Sequence, residues 1–255
     1  MIDISSGHPV IDRYLDNGYE KVRGMSSRFS AAICGHLVRR QTELGIRADI
    51  AEIGTFEGRF FIALALGLAQ GENAVGFDLF DWPNERVLDR FLGHCEKNGL
   101  AKEKFFAWKA NTKDITPAML KAKLATGAAR FFHIDGEHSD KSLTIDLELA
   151  HQVLHPKGII ALDDMLHPAY PELFSTAVAY LKRHPEMRAL AIIDREDIVA
   201  AAKLLICRKD ALALYEDDLM KAFSKFHFEM GSDVLDELTL VLTPQPRLAE
   251  VGWDD

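Results

Sequence analysis

Apolar and polar positions change rhythm along the chain. Between residues 9 and 45 apolar residues recur at helical spacing, and Phe29, Ala32, Leu37 and Val38 share a face, so two helical pieces broken near Gly24 are expected. From residue 48 onward short apolar runs at 49–53, 74–77, 104–108, 130–134 and 158–162 have the length and composition of buried strands. Longer amphipathic segments at 58–70, 84–98, 117–124 and 140–154 separate them, with Leu143, Leu147, Ala150 and Leu154 on one helical stripe. Such alternation predicts an α/β fold, a doubly wound, mostly parallel sheet covered on both faces. A further helix is expected near Pro171, carrying Phe174, Ala177, Val178 and Leu181. The runs 188–193 and 200–207 are joined by only six residues, too few for a parallel crossover, so they predict an antiparallel pair. The expected sheet therefore has seven strands and an antiparallel last strand. Three parts are expected: a helical N-terminal segment over 1–45, a cofactor-binding core over 46–208, and an acidic, helical C-terminal appendage over 209–255. The run 238–242 has strand composition, but its place in the sheet is not set by pattern.

The chain has 255 residues, 48% of them hydrophobic and 27% charged, a globular composition that needs no disulfide framework or structural metal to fold. Cys34, Cys95 and Cys207 are too few and too scattered for a four-cysteine zinc site, and are read as reduced thiols. Net charge is −9, and its bulk lies after residue 209, where eleven acidic residues face three basic ones. Neither part offers a basic surface, so nucleic acid and anionic lipid are not expected partners. No positively charged segment followed by an apolar run opens the sequence, and the stretch 60–69 is about half the length a bilayer demands, so the expected setting is cytoplasmic.

In open parallel sheets ligands bind beyond the carboxyl ends of the strands, so those ends are where chemistry is sought. The first carries Glu52-Ile53-Gly54-Thr55-Phe56-Glu57-Gly58. Its glycines permit a tight turn and close approach of a ligand. Glu52 and Glu57 disfavour a pyrophosphate there and favour a ligand bearing an ammonium group. The second strand ends at Asp78, twenty residues after Gly58, placed to accept ribose hydroxyls. The third is followed by Asn111 and Thr112, suited to an adenine edge. The fourth ends in Ile134-Asp135-Gly136-Glu137-His138 and the fifth in Asp163-Asp164. If these strands are neighbours, Asp135, Asp163 and Asp164 converge and repel one another unless protons or a cation compensate. Oxygen ligands alone favour Mg²⁺, Mn²⁺ or Ca²⁺. Glu137, His138 and His167 are candidate bases.

These motifs together resemble the class I S-adenosylmethionine-dependent methyltransferases, nearest in pattern to the metal-assisted O-methyltransferases of the catechol and antibiotic-sugar types; the resemblance spans about residues 25–208. It implies that Glu52, Gly54 and Gly58, with Thr55 and Phe56 between them, hold the methionine end of the cofactor. It implies that Asp78 binds the ribose, that Phe80, Asn111 and Thr112 lie beside the adenine, and that Asp135 is among the cofactor-binding residues. Asp135, Asp163 and Asp164 would be the metal ligands, and a small-molecule hydroxyl the methyl acceptor, with His138 or Glu137 taking its proton. A homodimer is expected by analogy with such scaffolds. The sequence departs from the family pattern at Asp140, where Tyr is frequent, and at Asp164, where Asn is frequent. Three other readings remain open: a nicotinamide-dependent oxidoreductase, a metal-dependent hydrolase or hydroxylase, and a non-catalytic cofactor-binding protein.

Overall fold

A computed structural model of the chain describes residues 2–245. Two helices come first. In α1 (Pro9–Asn17) proline fills the first turn, where its missing N–H costs nothing, and the His8 side chain caps the start. Helix α2 (Arg28–Glu43) is capped by Ser27, whose hydroxyl accepts from the Ser30 N–H at 3.0 Å. Then follow β1 (Asp49–Ile53), α3 (Arg59–Ala65), β2 (Ala74–Asp78), α4 (Val87–Lys97), β3 (Phe105–Lys109), α5 (Pro117–Lys121), β4 (Ala129–Ile134), α6 (Asp140–Val153), β5 (Leu154–Met165) and α7 (Glu172–Arg183). The chain closes with β6 (Met187–Ile193), β7 (Ala202–Arg208), α8 (Glu216–Ala222), β8 (Ser232–Val234) and β9 (Glu237–Leu242). Among the described residues no helix is long and apolar enough to cross a membrane.

The sheet runs in the order β3-β2-β1-β4-β5-β7-β6-β9-β8. Strands β1 to β5 pair in parallel, and β7 inserts antiparallel between β5 and β6, as the short 194–199 connection requires. Alternate residues feed two cores: Phe131 and Ala161 face α2 and α3, whereas Phe132 and Ile160 face α6 and α7. That is why these strands read as continuous apolar runs and not as alternation.

Among the described residues the sheet has nine strands, not seven. The extra pair comes from the C-terminal segment, where β9 lies parallel to β6 with Ala191 opposite Leu240. It covers backbone donors and acceptors that β6 would otherwise leave open at the edge. The appendage is thus only partly helical, and it is a core element in spite of its charge. Tyr215, Leu219 and Phe223 are buried with α2, Leu212 lies beside them, and Phe226 packs on Phe29 with ring centroids 5.2 Å apart. The acids face outward; Asp218 meets His36 Nε2 at 2.6 Å and Arg40 at 3.4 Å. The part of the acidic segment over 246–255 lies outside the described residues. We expect Leu219→Ala to lower unfolding free energy by about 2–5 kcal/mol, because a fully buried leucine leaves a cavity, and urea titration measures it.

The other electrostatic anchor is internal. Arg130, on β4, is fully buried and spans β1, α2 and the end of α3. Its guanidinium pairs with Glu72 at 2.8 Å and donates to the carbonyls of Ala48, Val38 and Gly67 at 3.1, 2.7 and 3.1 Å.

Candidate active site

The carboxyl ends of β1, β2, β3 and β4 surround a cavity of about 700 Å³. Its floor depends on Gly54, which has a φ of 81°. A Cβ there would fall 1.7 Å from the Asp135 carbonyl oxygen, so only glycine lets the β1 and β4 ends approach this closely. The loop above it is tied by Asp78, whose two carboxylate oxygens accept from the Phe56 and Phe80 N–H groups, each at 2.7 Å. Burial raises the Asp78 pKa, with those two bonds opposing. Each oxygen keeps lone-pair capacity toward the cavity, which Asp78 lines.

Glu52 is 2% exposed and lines the same cavity, yet its Oε2 has no hydrogen-bond partner among the described residues. Its nearest ionisable neighbour is His133 Nδ1 at 3.4 Å; burial raises the Glu52 pKa, and His133 acts in the opposite direction. A buried, unpartnered acceptor in a cavity wall fits a cationic ligand group. Thr55, Phe56, Asn111, Thr112 and Asp135 also reach the wall. Two expected contacts do not. Gly58 forms the left-handed turn into α3 with a φ of 93° and packs on Phe91, serving the loop and not the cavity wall. Phe80 is fully buried against Phe91 in the core, at 5.5 Å between centroids. Leu79 and Trp82 take the wall position instead, Trp82 packing at a tilt on Phe56 with centroids 5.5 Å apart. Glu57, read from the sequence as a second loop carboxylate, turns away onto Arg90 at 2.7 Å.

The acidic cluster also differs from expectation. Strands β4 and β5 are neighbours, and Asp135, Asp163 and Asp164 do converge at their ends. Asp163, however, is not free to serve as a metal ligand. Its Oδ2 pairs with the Lys203 ammonium and accepts from the Ser26 hydroxyl at 2.8 Å, and its Oδ1 accepts from the Asp164 N–H at 2.9 Å. Burial works against its charge, but Lys203 and His133 hold its pKa well below the carboxylate range. Asp164 meets His138 Nε2 at 2.6 Å, in a left-handed turn with a φ of 57°. The Asp135, His138 and Asp164 ligand atoms lie within 4.8 Å of one another. Direct contact between Asp164 and His138 uses the nitrogen an ion would need. The three-carboxylate oxygen site is therefore not what this structure presents.

The expected bases change accordingly. The Asp135 and Asp164 carboxylates push the His138 pKa up to about 10 against the effect of burial, so the ring is a cation at neutral pH and has no lone pair to accept a proton. It stacks on Tyr170 at 4.2 Å. Glu137 is engaged with Ser142 at 2.5 Å and Lys113 at 3.0 Å, which lower its pKa. His167 binds the Ile198 carbonyl at 2.9 Å, outside the cavity wall. Since the folded pKa of His138 lies above its ordinary 6.5, its stabilising effect is complete below about pH 6.5 and fades as pH rises toward 10. Urea titrations across that range should show a decline that His138→Gln lacks, and a resonance at pH 8 from a neutral ring would contradict it.

Pattern reading missed Ser26, His133, Lys203 and Tyr170. Lys203 and His133 carried a signal: each interrupts an otherwise apolar strand run, and a charge in a buried strand demands a partner. Nothing in Ser26 or Tyr170 marks them in one dimension.

The profile of a methyltransferase domain family matches residues 51–165. Solved structures share the fold. An O-methyltransferase from Bacillus cereus in complex with S-adenosylhomocysteine is 17% identical with a TM-score of 0.58, covering 79% of this chain and 91% of that one. The O-methyltransferase TomG from Streptomyces achromogenes, involved in tomaymycin synthesis and in complex with S-adenosylmethionine, is 16% identical with a TM-score of 0.55, covering 78% and 89%. A Podospora anserina methyltransferase bound to S-adenosylhomocysteine is 15% identical with a TM-score of 0.55, covering 79% and 88%. No curated protein sequence matches. Residues 51–165 thus resemble a methyltransferase domain, and the chain shares its fold with solved O-methyltransferases, in keeping with the resemblance carried by its motifs.

Proposed function

We propose that the protein transfers a methyl group from S-adenosylmethionine to an oxygen of a small-molecule acceptor. The observation that carries this is one cavity lined by both Glu52, whose Oε2 has no hydrogen-bond partner among the described residues, and Asp78, with Gly54 letting the β1 and β4 ends close beneath it. Glu52 suits the ammonium of an amino-acid moiety, and Asp78 accepts from vicinal hydroxyls of a ribose. Asn111 and Thr112 offer polar edges, and Leu79 an apolar face, to a base in the same cavity. The same carboxylate in the loop disfavours the pyrophosphate of a nicotinamide dinucleotide. Solved proteins of this fold that hold S-adenosylmethionine or its demethylated product support the assignment.

When bound, the cofactor supplies an electrophilic methyl group on a sulfonium. The chain's own residues supply orientation and proton transfer. Asp135 lines the cavity, and burial together with Asp163 raises its pKa, so among these carboxylates it is the one suited to take the acceptor's proton. The His138 imidazolium beside it favours an ionised acceptor oxygen. The reduced, buried thiols of Cys34, Cys95 and Cys207 support a cytoplasmic setting.

S-adenosylhomocysteine should bind in calorimetry and raise the melting temperature, while NAD should do neither. Transfer of labelled methyl to an oxygen of a phenol or alcohol completes the test. Binding of NAD in place of S-adenosylhomocysteine would overturn the reading.

A further inference from the structure

Beneath the cavity lies a buried ionic group that the transfer chemistry above does not use. Lys203, on β7, is fully buried, and its ammonium contacts Asp163, Ser26 Oγ at 3.1 Å and His133 Nε2 at 3.1 Å. It also sits 4.4 Å over the Phe60 ring, which itself packs on His133 at 4.3 Å. His133 pairs in register with Glu52 across β1 and β4. Ser26 joins this group to the cavity, since it lines the wall and bonds to both Asp163 and Lys203.

We infer that Lys203 is the resident cation of this acidic site, a positioning residue that takes the place of a divalent ion at Asp163. The inference rests on the methyltransferase reading only for the meaning of the site; the charge argument stands on the geometry. Both Asp163 oxygens are committed, one to Lys203 and Ser26, the other to the Asp164 N–H. An ion entering there must break a desolvated ion pair and then sit beside an ammonium of like charge. Asp164 likewise has a side-chain partner, His138 Nε2 at 2.6 Å, so both strand-five carboxylates are engaged by groups of the chain itself. Lys203 additionally fixes Ser26, which lines the cavity.

The test uses the full chain and Mn²⁺ as probe, followed by electron paramagnetic resonance, with S-adenosylhomocysteine binding measured by calorimetry on the same samples. The wild-type protein should leave Mn²⁺ free, with or without S-adenosylhomocysteine, and chelator should not alter S-adenosylhomocysteine affinity. Lys203→Met should increase Mn²⁺ affinity by about tenfold or more, because Asp163 loses its counter-ion and the ion no longer meets an ammonium of like charge. A tight stoichiometric Mn²⁺ site in the wild-type protein would overturn the inference, as would a folded Lys203→Met chain whose Mn²⁺ affinity is unchanged. Should that variant not fold, the wild-type titration decides alone. Absence of S-adenosylhomocysteine binding together with free Mn²⁺ would refute the cofactor assignment and leave Lys203 in its role.

Discussion

Replacing Arg130 with alanine is expected to lower unfolding free energy by about 3–5 kcal/mol, a large part of the stability of a typical domain. The residue is fully buried, and Glu72, its ion-pair partner, is 3% exposed. Truncation leaves that carboxylate buried without its cation, and removes the donors to the carbonyls of Ala48, Val38 and Gly67. Glu72 would keep only the Ala48 and Ala69 N–H groups, at 3.2 and 2.6 Å, as donors to a buried charge. A double variant, Arg130→Met with Glu72→Gln, should recover part of the loss, because the uncompensated charge disappears. Urea titration of both variants measures this. A loss below about 1 kcal/mol in Arg130→Ala would mean that water replaces the guanidinium.

The second large effect concerns the cofactor. Asp78→Ala is expected to weaken S-adenosylhomocysteine binding by about 1–3 kcal/mol, since a charged acceptor of hydrogen bonds is lost. That corresponds to roughly five- to 150-fold in dissociation constant. Part of the effect passes through the loop, because the Phe56 and Phe80 N–H groups lose their acceptor and the first turn loosens. Asp78→Asn separates the two contributions: it keeps an acceptor oxygen for one of these N–H groups while removing the charge. Calorimetry should therefore place Asn between wild type and Ala. Affinity unchanged in both variants would remove Asp78 from the site.

Much of the core was legible in one dimension. Strands β1 to β4 are short apolar runs, and their carboxyl ends deliver Glu52, Gly54, Asp78, Asn111 and Asp135 to one cavity. Position along a parallel strand dictates which end of the sheet a residue reaches, so those placements need only local pattern and a topological rule. Even β7 was legible, because a six-residue connection cannot cross over a sheet. Phe80 and Gly58 were misplaced for a local reason: the chain turns at positive φ at both, and the turn, not the sequence position, selects whether the loop faces ligand or core.

The acidic cluster shows where local pattern ends. Sequence places Asp135, Asp163 and Asp164 at adjacent strand ends, and repulsion among them calls for positive charge. It does not say which charge. Lys203 is forty residues from Asp163 along the chain, and Ser26 lies 137 residues away on its other side. The same holds for β9, whose strand composition is plain but whose partner, β6, is chosen by an open edge that exists only after folding. Composition and periodicity thus determined the elements, the strand ends and the kinds of groups they carry, because these depend on neighbours in the chain. Tertiary structure alone decided which groups neutralise one another, because ion pairs and edge pairing depend on distance in space and on the burial that makes an unpaired charge costly.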